Sequence, residues 1–261
     1  MVSPLLAADA SGFADGAQAI DHISSSADRD VPEEEIAALF AAMERDGFAV
    51  LPRYIAAAEL DDLRRFVRQA VAAAGNRYTV LSGEALVAGT ILASMASSTA
   101  LRRVCTRLYE MATGRPAPDE PYHQILRCLT GSTGREHSMV SHYDSYIVTL
   151  LLPIEVPVGK DSGELIVVPN ARAIRRWYGA NLIDKILLDN PLAQRVLRRM
   201  ATAHPERFLR IPMVPGNLYA FWGYRSIHTN APCDPDKIRA TALFHYADPH
   251  AASPLKKRLR A

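Results

Sequence analysis

Residues 142–153 read HYDSYIVTLLLP, a polar start followed by an apolar, β-branched run. The run ends at Pro153 and predicts a buried strand. Because side chains of an extended strand alternate between its two faces, the imidazole of His142 and the carboxylate of Asp144 point to the same side. These two groups can therefore bind one metal ion.

Two later stretches supply residues that complete such a site. The turn signal Pro215-Gly216 starts an aromatic-rich run, residues 217–222, and His228 closes it. Arg239 begins a further predicted strand, in which Arg239 and Thr241 lie on one face. Two His and one carboxylate suit non-haem Fe(II), because they leave coordination positions open. A guanidinium fork beside a hydroxyl forms a clamp for a carboxylate.

The His-x-Asp spacing is a weak signal by itself, because a chain with eight His is expected to contain roughly half such a match by chance. In one alternative, His142 and His228 are structural histidines with hydrogen-bond partners. In another, His137 and His142 belong to a zinc site, although the residues between them offer no helix to align the pair. The combination with Asp144, Arg239 and the strand context favours the iron site.

The same residues resemble those of the phytanoyl-CoA dioxygenase-like branch of the Fe(II)/2-oxoglutarate-dependent oxygenases. The resemblance covers most of the chain and includes residues 46–52, the His-x-Asp strand, residues 162–170, His228-Thr229-Asn230 and the Arg that follows. It implies an α+β, mainly β chain whose core is a double-stranded β-helix (a cupin-like jelly roll) with N-terminal buttressing helices. It also implies that His142, Asp144 and His228 bind Fe(II), with 2-oxoglutarate and O2 at the remaining positions.

The resemblance further implies roles in cosubstrate binding. Arg239 would pair with the distal carboxylate of 2-oxoglutarate, and Thr241 would add a hydrogen bond. Gln124, on the first predicted strand of the core, resembles a position from which family members touch the cosubstrate; the alternative is a strand-edge amide.

The implied reaction is hydroxylation of an unactivated C–H bond of a small metabolite, with release of succinate and CO2. Desaturation, epimerisation and cyclisation begin from the same chemistry and stay open as alternatives. Related halogenases have Gly or Ala at the position of Asp144, so a carboxylate there favours hydroxylation. A non-catalytic jelly-roll binding protein is a second alternative, and the complete set of candidate residues argues against it.

The bulk properties favour an enzyme that acts on a small molecule. The net charge of +2 argues against a nucleic-acid partner or an anionic membrane surface, and no apolar stretch approaches the length of a membrane span. The N-terminus lacks a secretory-signal pattern, and Cys105, Cys128 and Cys233 are odd in number and scattered, which predicts reduced thiols in the cytoplasm. The oligomeric state stays open.

The remaining sequence predicts one domain, residues 31–261, preceded by a loosely ordered arm over residues 1–30. Helices are predicted from Pro32 to Gly47 and over residues 57–74 and 99–113. Residues 76–84 are predicted to form a loop, placed where the resembled family has a lid.

The Arg-rich segment 171–214 departs from that family and is predicted to be helical. Its residues Arg172, Arg175, Arg176, Trp177 and Tyr178 either bind an anionic substrate or form a solvated helix face.

Overall fold

The computed structural model describes residues 25–159 and 161–260. Within them lie nine strands: β1 (Ala49–Leu51), β2 (Thr79–Ser82), β3 (His123–Leu129), β4 (Val148–Glu155), β5 (Leu165–Val168), β6 (Leu209–Ile211), β7 (Leu218–Phe221), β8 (Ile227–Asn230) and β9 (Arg239–Tyr246). The helices are α1 (Glu33–Arg45), α2 (Ala57–Ala73), α3 (Ile91–Ser97), α4 (Thr99–Thr113), α5 (Gly131–Glu136), α6 (Tyr178–Asp189), α7 (Pro191–Ala203) and α8 (Pro254–Arg260). Short 3-10 turns occupy Ser26–Asp28, Glu84–Val87 and Pro205–Arg207.

The strands form two antiparallel sheets. The larger has six strands in the order β1-β7-β4-β9-β3-β2, and the smaller has three in the order β6-β5-β8. A cluster of buried apolar side chains joins the two sheets: Leu151, Leu165, Val167, Ile211, Met213, Tyr219 and Phe221. Nearly every residue of β4 is buried, as expected for a central strand whose two faces are both covered. The predicted double-sheet core with helices is therefore confirmed.

Helices α1, α2 and α4 cover the outer face of the larger sheet and end close to the predicted positions. Helix α1 begins after Pro32, and its acidic first turn complements the positive end of the helix dipole. It ends before Gly47, which has a φ of 86°. A Cβ at this glycine would lie 2.2 Å from the Cβ of Pro169, so both the backbone conformation and the close packing require glycine.

The structure corrects three predictions about the strands. Strand β4 begins only at Val148, and bends at residues 145–147 separate it from His142 and Asp144. His228 does not close the run 217–222, because β7 belongs to the larger sheet and β8 to the smaller. The predicted loop over residues 76–84 contains β2, which pairs with β3.

The segment 171–214 is largely helical, as predicted, and forms α6 and α7. The first 24 residues of the arm predicted over residues 1–30 lie outside the described residues. The described end of the arm packs on the rest of the fold: Ala27 is 1% exposed, and its carbonyl accepts a hydrogen bond from Ser98. All three cysteines are free and buried. Among the described residues, no helix combines the length and apolarity needed to cross a bilayer.

Candidate metal centre and its cavity

The candidate metal ligands lie where the chain crosses between the two sheets. The N–H of His142 donates to the carbonyl of His228, and the N–H of His228 donates back to the carbonyl of His142, both at 3.0 Å. Two residues later, the N–H of Asp144 donates to the carbonyl of Gly223, in the turn between β7 and β8, at 3.0 Å. Backbone hydrogen bonds therefore hold all three candidate ligands in one place.

The side chains of these residues converge on a single point. Nε2 of His142 lies 3.8 Å from Oδ1 of Asp144, and Nε2 of His228 lies 3.4 Å from the same oxygen. One donor atom from each residue lies within 4.8 Å of the others. Donors at right angles around an ion, each about 2.1 Å from it, would be about 3 Å apart. Small side-chain movements would therefore close the three donors on a metal ion.

In the neutral form of both imidazoles, their hydrogen bonds leave the metal-facing nitrogen free of a proton. Nδ1 of His142 lies 3.0 Å from the carbonyl oxygen of Val140, and Nδ1 of His228 lies 3.1 Å from that of Ser226. A carbonyl oxygen can only accept, so each Nδ1 carries the hydrogen when its imidazole is neutral. The Nε2 lone pairs then face Asp144, which is the tautomer that binds a metal.

The second oxygen of Asp144, Oδ2, is fixed by a hydrogen bond. The Thr149 hydroxyl donates to Oδ2 at 2.6 Å, and Nδ1 of His245 lies 3.1 Å from the same hydroxyl. Because the hydroxyl proton is given to Asp144, His245 donates to Thr149. Gly223 closes this space, since a Cβ there would lie 2.2 Å from both Oδ2 of Asp144 and Oγ1 of Thr149. Only Oδ1 is left for a metal, so Asp144 would be a monodentate ligand.

The charges at the site favour metal binding. Burial opposes ionisation of Asp144, yet His228 and His245 hold the pKa of its carboxyl well below the usual range. Burial likewise disfavours a charged His228, but Asp144 raises the pKa of this imidazole. Burial and the charge of His228 together lower the pKa of His142. A proton on His228 would therefore be stabilised by Asp144, and a metal ion bound there would displace that proton.

A cavity of about 360 Å³ opens in front of the three ligands. Its walls are apolar side chains from both sheets, namely Ile125, Leu151, Leu165, Phe221 and Leu243. Its other lining residues include Arg127, Thr229, Asn230, Arg239, Thr241 and His245, and also Tyr78, Val80, His137 and Val140. This volume is near the lower end of the range of about 300–1,000 Å³ typical of small-molecule sites.

Arg239 and Thr241 both line this cavity, as the alternation along β9 predicts. Arg239 is 2% exposed, and its Nε donates to the carbonyl of Gly163 at 2.6 Å. A Cβ at Gly163 would lie 2.3 Å from Cδ of Arg239, so this glycine makes room for the side chain. Burial, together with the charge of Arg127, lowers the pKa of Arg239 to about 10. The structure thus places a buried cation, which no described carboxylate pairs with, in the same cavity as the candidate ligands.

Gln124 does not join this group. The cavity side of β3 is formed by Ile125 and Arg127, and alternation turns Gln124 to the opposite face. Its Nε2 donates to the carbonyl of Leu92 at 2.8 Å, and the side chain is buried. Strand β3 is also internal, between β2 and β9, so Gln124 neither lines the cavity nor lies on a sheet edge.

Arg172 and Arg175 have structural roles outside this cavity. Arg172 is buried, forms an ion pair with Asp184 of α6 at 2.8 Å, and lies over the rings of Tyr143 and Tyr224. Arg175 pairs with the same carboxylate at 2.7 Å. These residues fix α6 against the segment that carries the candidate ligands. Arg172 and Arg175 therefore have a packing role and do not line the cavity in front of the candidate ligands.

His137 is not among the candidate ligands. Its ring stacks on Tyr78 with 3.9 Å between the ring centroids, and both line the cavity. Within the described residues, the group of His, Cys, Asp and Glu placed to hold a metal is His142, Asp144 and His228.

Comparison with known proteins extends the description of the fold. Neither a family model nor a curated protein matches this chain. A prolyl-4-hydroxylase from Pseudomonas putida is similar in structure, with 14% identity, a TM-score of 0.50, and coverage of 87% of this chain and 99% of that chain. The carbocyclase SnoK from nogalamycin biosynthesis has 14% identity, a TM-score of 0.54, and coverage of 90% and 93%. The epimerase SnoN from the same biosynthesis has 16% identity, a TM-score of 0.50, and coverage of 83% and 84%.

The fold is a double-stranded β-helix. SnoK and SnoN are described as non-haem α-ketoglutarate-dependent enzymes. At these identities the likeness establishes the double-stranded β-helix and nothing finer, so the resemblance to the phytanoyl-CoA dioxygenase-like branch stays a prediction.

Proposed function

We propose that this protein is an Fe(II)- and 2-oxoglutarate-dependent oxygenase that acts on a small molecule. The observation that carries the proposal is that one cavity contains both a two-His, one-carboxylate donor set and the buried Arg239, which no described carboxylate pairs with. The donor set suits Fe(II), and the buried cation suits one carboxylate of a dicarboxylate. The similar solved structures support the proposal, because they include enzymes described as dependent on α-ketoglutarate.

Different residues of the chain would bind the iron and the cosubstrate. His142, His228 and Oδ1 of Asp144 would hold the iron from one side, leaving the cavity side for cosubstrate and O2. Arg239 would pair with the distal carboxylate of 2-oxoglutarate, and the Thr241 hydroxyl would add a hydrogen bond. When bound, iron and 2-oxoglutarate supply an oxidative decarboxylation that activates O2 and yields succinate and CO2.

We further propose that the reaction is hydroxylation of an unactivated C–H bond. Asp144 supports this, because related halogenases have Gly or Ala at this position, and the carboxylate of Asp144 would take the place of a bound halide. The similar structures include a hydroxylase, a carbocyclase and an epimerase, so the fold leaves cyclisation, epimerisation and desaturation as alternative outcomes. A reducing compartment such as the cytoplasm fits both the ferrous iron and the free cysteines.

The test is turnover under labelled O2. Protein reconstituted with Fe(II) should consume 2-oxoglutarate and O2 slowly alone and faster with its substrate. For a hydroxylase, the product should gain one labelled oxygen, whereas a product that has lost two hydrogens and carries no label would indicate desaturation or cyclisation. Bound iron without any consumption of 2-oxoglutarate would refute the oxygenase and favour a binding protein.

A further inference from the structure

Arg127 is a second cation in the cavity, and the oxygenase chemistry proposed above does not use it. On β3 its residue pairs with Thr241 of β9, so its side chain lies beside the Arg239 end of the cavity. It lies on the same face of β3 as Ile125. Both sheet geometry and the cavity lining therefore place this guanidinium where a bound molecule would lie.

The hydrogen bonds of Arg127 leave most of its guanidinium without a partner. Nη2 donates to the carbonyl of His137 at 2.9 Å, and the guanidinium carbon lies 5.6 Å from the centre of the Tyr78 ring. Nε is buried and has no hydrogen-bond partner. A guanidinium has five N–H donors, and no described carboxylate forms an ion pair with this one. The contacts fix the side chain in place while leaving donors for a further group.

The charges in the cavity indicate that this further group should be an anion. Asp144 is the one acidic residue among the described lining residues. A divalent ion, a dicarboxylate, Asp144 and Arg239 together carry no net charge. Arg127 then adds one uncompensated positive charge, which is unfavourable in a partly buried site unless an anion pairs with it.

The surroundings of Arg127 are apolar. Val80 and Val140 are 42% and 47% exposed and line the cavity, as do Ile125 and Leu243. Exposed apolar side chains beside a cation suit a ligand that has both an apolar body and an acidic group.

We propose that the substrate is a small organic acid with an apolar body, and that Arg127 binds its carboxylate. This inference rests on the proposed oxygenase function and names the class of substrate for the same cavity. Arg127 acts as a specificity residue, whereas Arg239 serves the cosubstrate. The planar fork of Arg127 suits a carboxylate, because two parallel N–H groups can donate to its two oxygens.

The test compares matched probes on the whole protein loaded with Mn(II) and 2-oxoglutarate. Calorimetric titrations use hexanoate against hexanamide and phenylacetate against phenylacetamide, so that each pair differs in the charge of one group. The wild type should bind at least one acid more tightly than its amide by about tenfold to a hundredfold. Arg127→Gln should remove that preference, and Arg127→Lys should keep part of it. Arg135→Gln removes the same charge from an exposed position on α5 and should bind like the wild type.

A parallel titration with 2-oxoglutarate distinguishes the two arginines. Arg127→Gln should change the affinity for 2-oxoglutarate little, by less than about threefold, whereas loss of a charge-assisted bond to the cosubstrate would cost more. A large loss of 2-oxoglutarate affinity with an unchanged preference for acids would overturn the proposal and assign Arg127 to the cosubstrate. A wild type with no preference for either acid would also overturn it.

Failure of the oxygenase proposal would give a different set of binding results from failure of the Arg127 proposal. If the wild type binds neither metal nor 2-oxoglutarate, the oxygenase is refuted, and the same probes are titrated into the metal-free protein. A preference for acids that Arg127→Gln removes would then still support acid binding by Arg127. A preference that this variant keeps would reject it.

Discussion

Gly223→Ala tests the metal centre without changing any metal ligand. The new methyl group would lie 2.2 Å from Oδ2 of Asp144 and from Oγ1 of Thr149, whereas ordinary contacts begin at 3.4 Å. Both groups must therefore move by about 1 Å, a displacement that can cost about a hundredfold in a positioned site. We expect metal affinity to fall about tenfold to a hundredfold, as for losses of groups that orient a ligand. The added crowding should also lower the stability by about 1–3 kcal/mol.

The assay is a competition between the protein and a chelator of known affinity for Co(II), with thermal unfolding measured on the same samples. Gly179→Ala is the matched control, because no atom lies within 4 Å of a Cβ at Gly179 on α6. This control should bind metal like the wild type and should be no less stable, since Ala has a higher helix propensity than Gly. Wild-type metal affinity in Gly223→Ala would refute the account of how Asp144 is positioned.

Three further outcomes are expected. His228→Ala should abolish metal retention and turnover while the far-UV circular dichroism stays native, and turnover at the wild-type level would reject the ligand set. Arg239→Ala should raise the 2-oxoglutarate requirement by on the order of tenfold to a thousandfold with metal still bound, and equal loss of both would make Arg239 structural. Because Asp144 raises the pKa of His228, a proton on His228 competes with metal as pH falls through that raised pKa, so Co(II) affinity should decrease over that range. A flat pH profile would contradict the exchange of that proton for metal.

The sequence alone predicted those features of the fold and the site whose signal is local or periodic. The helical spacing of apolar residues located α1, α2 and α4, and alternation placed Arg239 and Thr241 on one face of β9. The pairing of His142 with Asp144 was also correct, although the strand that motivated it begins only at Val148. The crossing between the sheets brings the two side chains together.

Other features depended on contacts between distant segments. Gln124 was assigned to the cavity by resemblance, yet its register in β3 turns it to the other face. Thr149 and Gly223 hold Asp144, but a threonine in an apolar strand and a lone glycine in a turn give no sequence signal of such a role. Strand β2 was missed because it is short, and pairing with β3 satisfies its backbone. The absence of a described carboxylate partner for Arg127 could not be predicted from the sequence, because it depends on how the two sheets assemble.

The most direct test of the central claim is an anaerobic titration of Fe(II)-loaded protein with 2-oxoglutarate, followed by visible absorption. A 2-oxoacid that chelates ferrous iron through its keto and carboxylate oxygens produces a charge-transfer band, so its appearance reports both groups in one site. We expect the band to saturate at one 2-oxoglutarate per iron in the wild type, to require far more cosubstrate in Arg239→Ala, and to be absent in His228→Ala. Tight iron binding with no such band at any 2-oxoglutarate concentration would contradict the account.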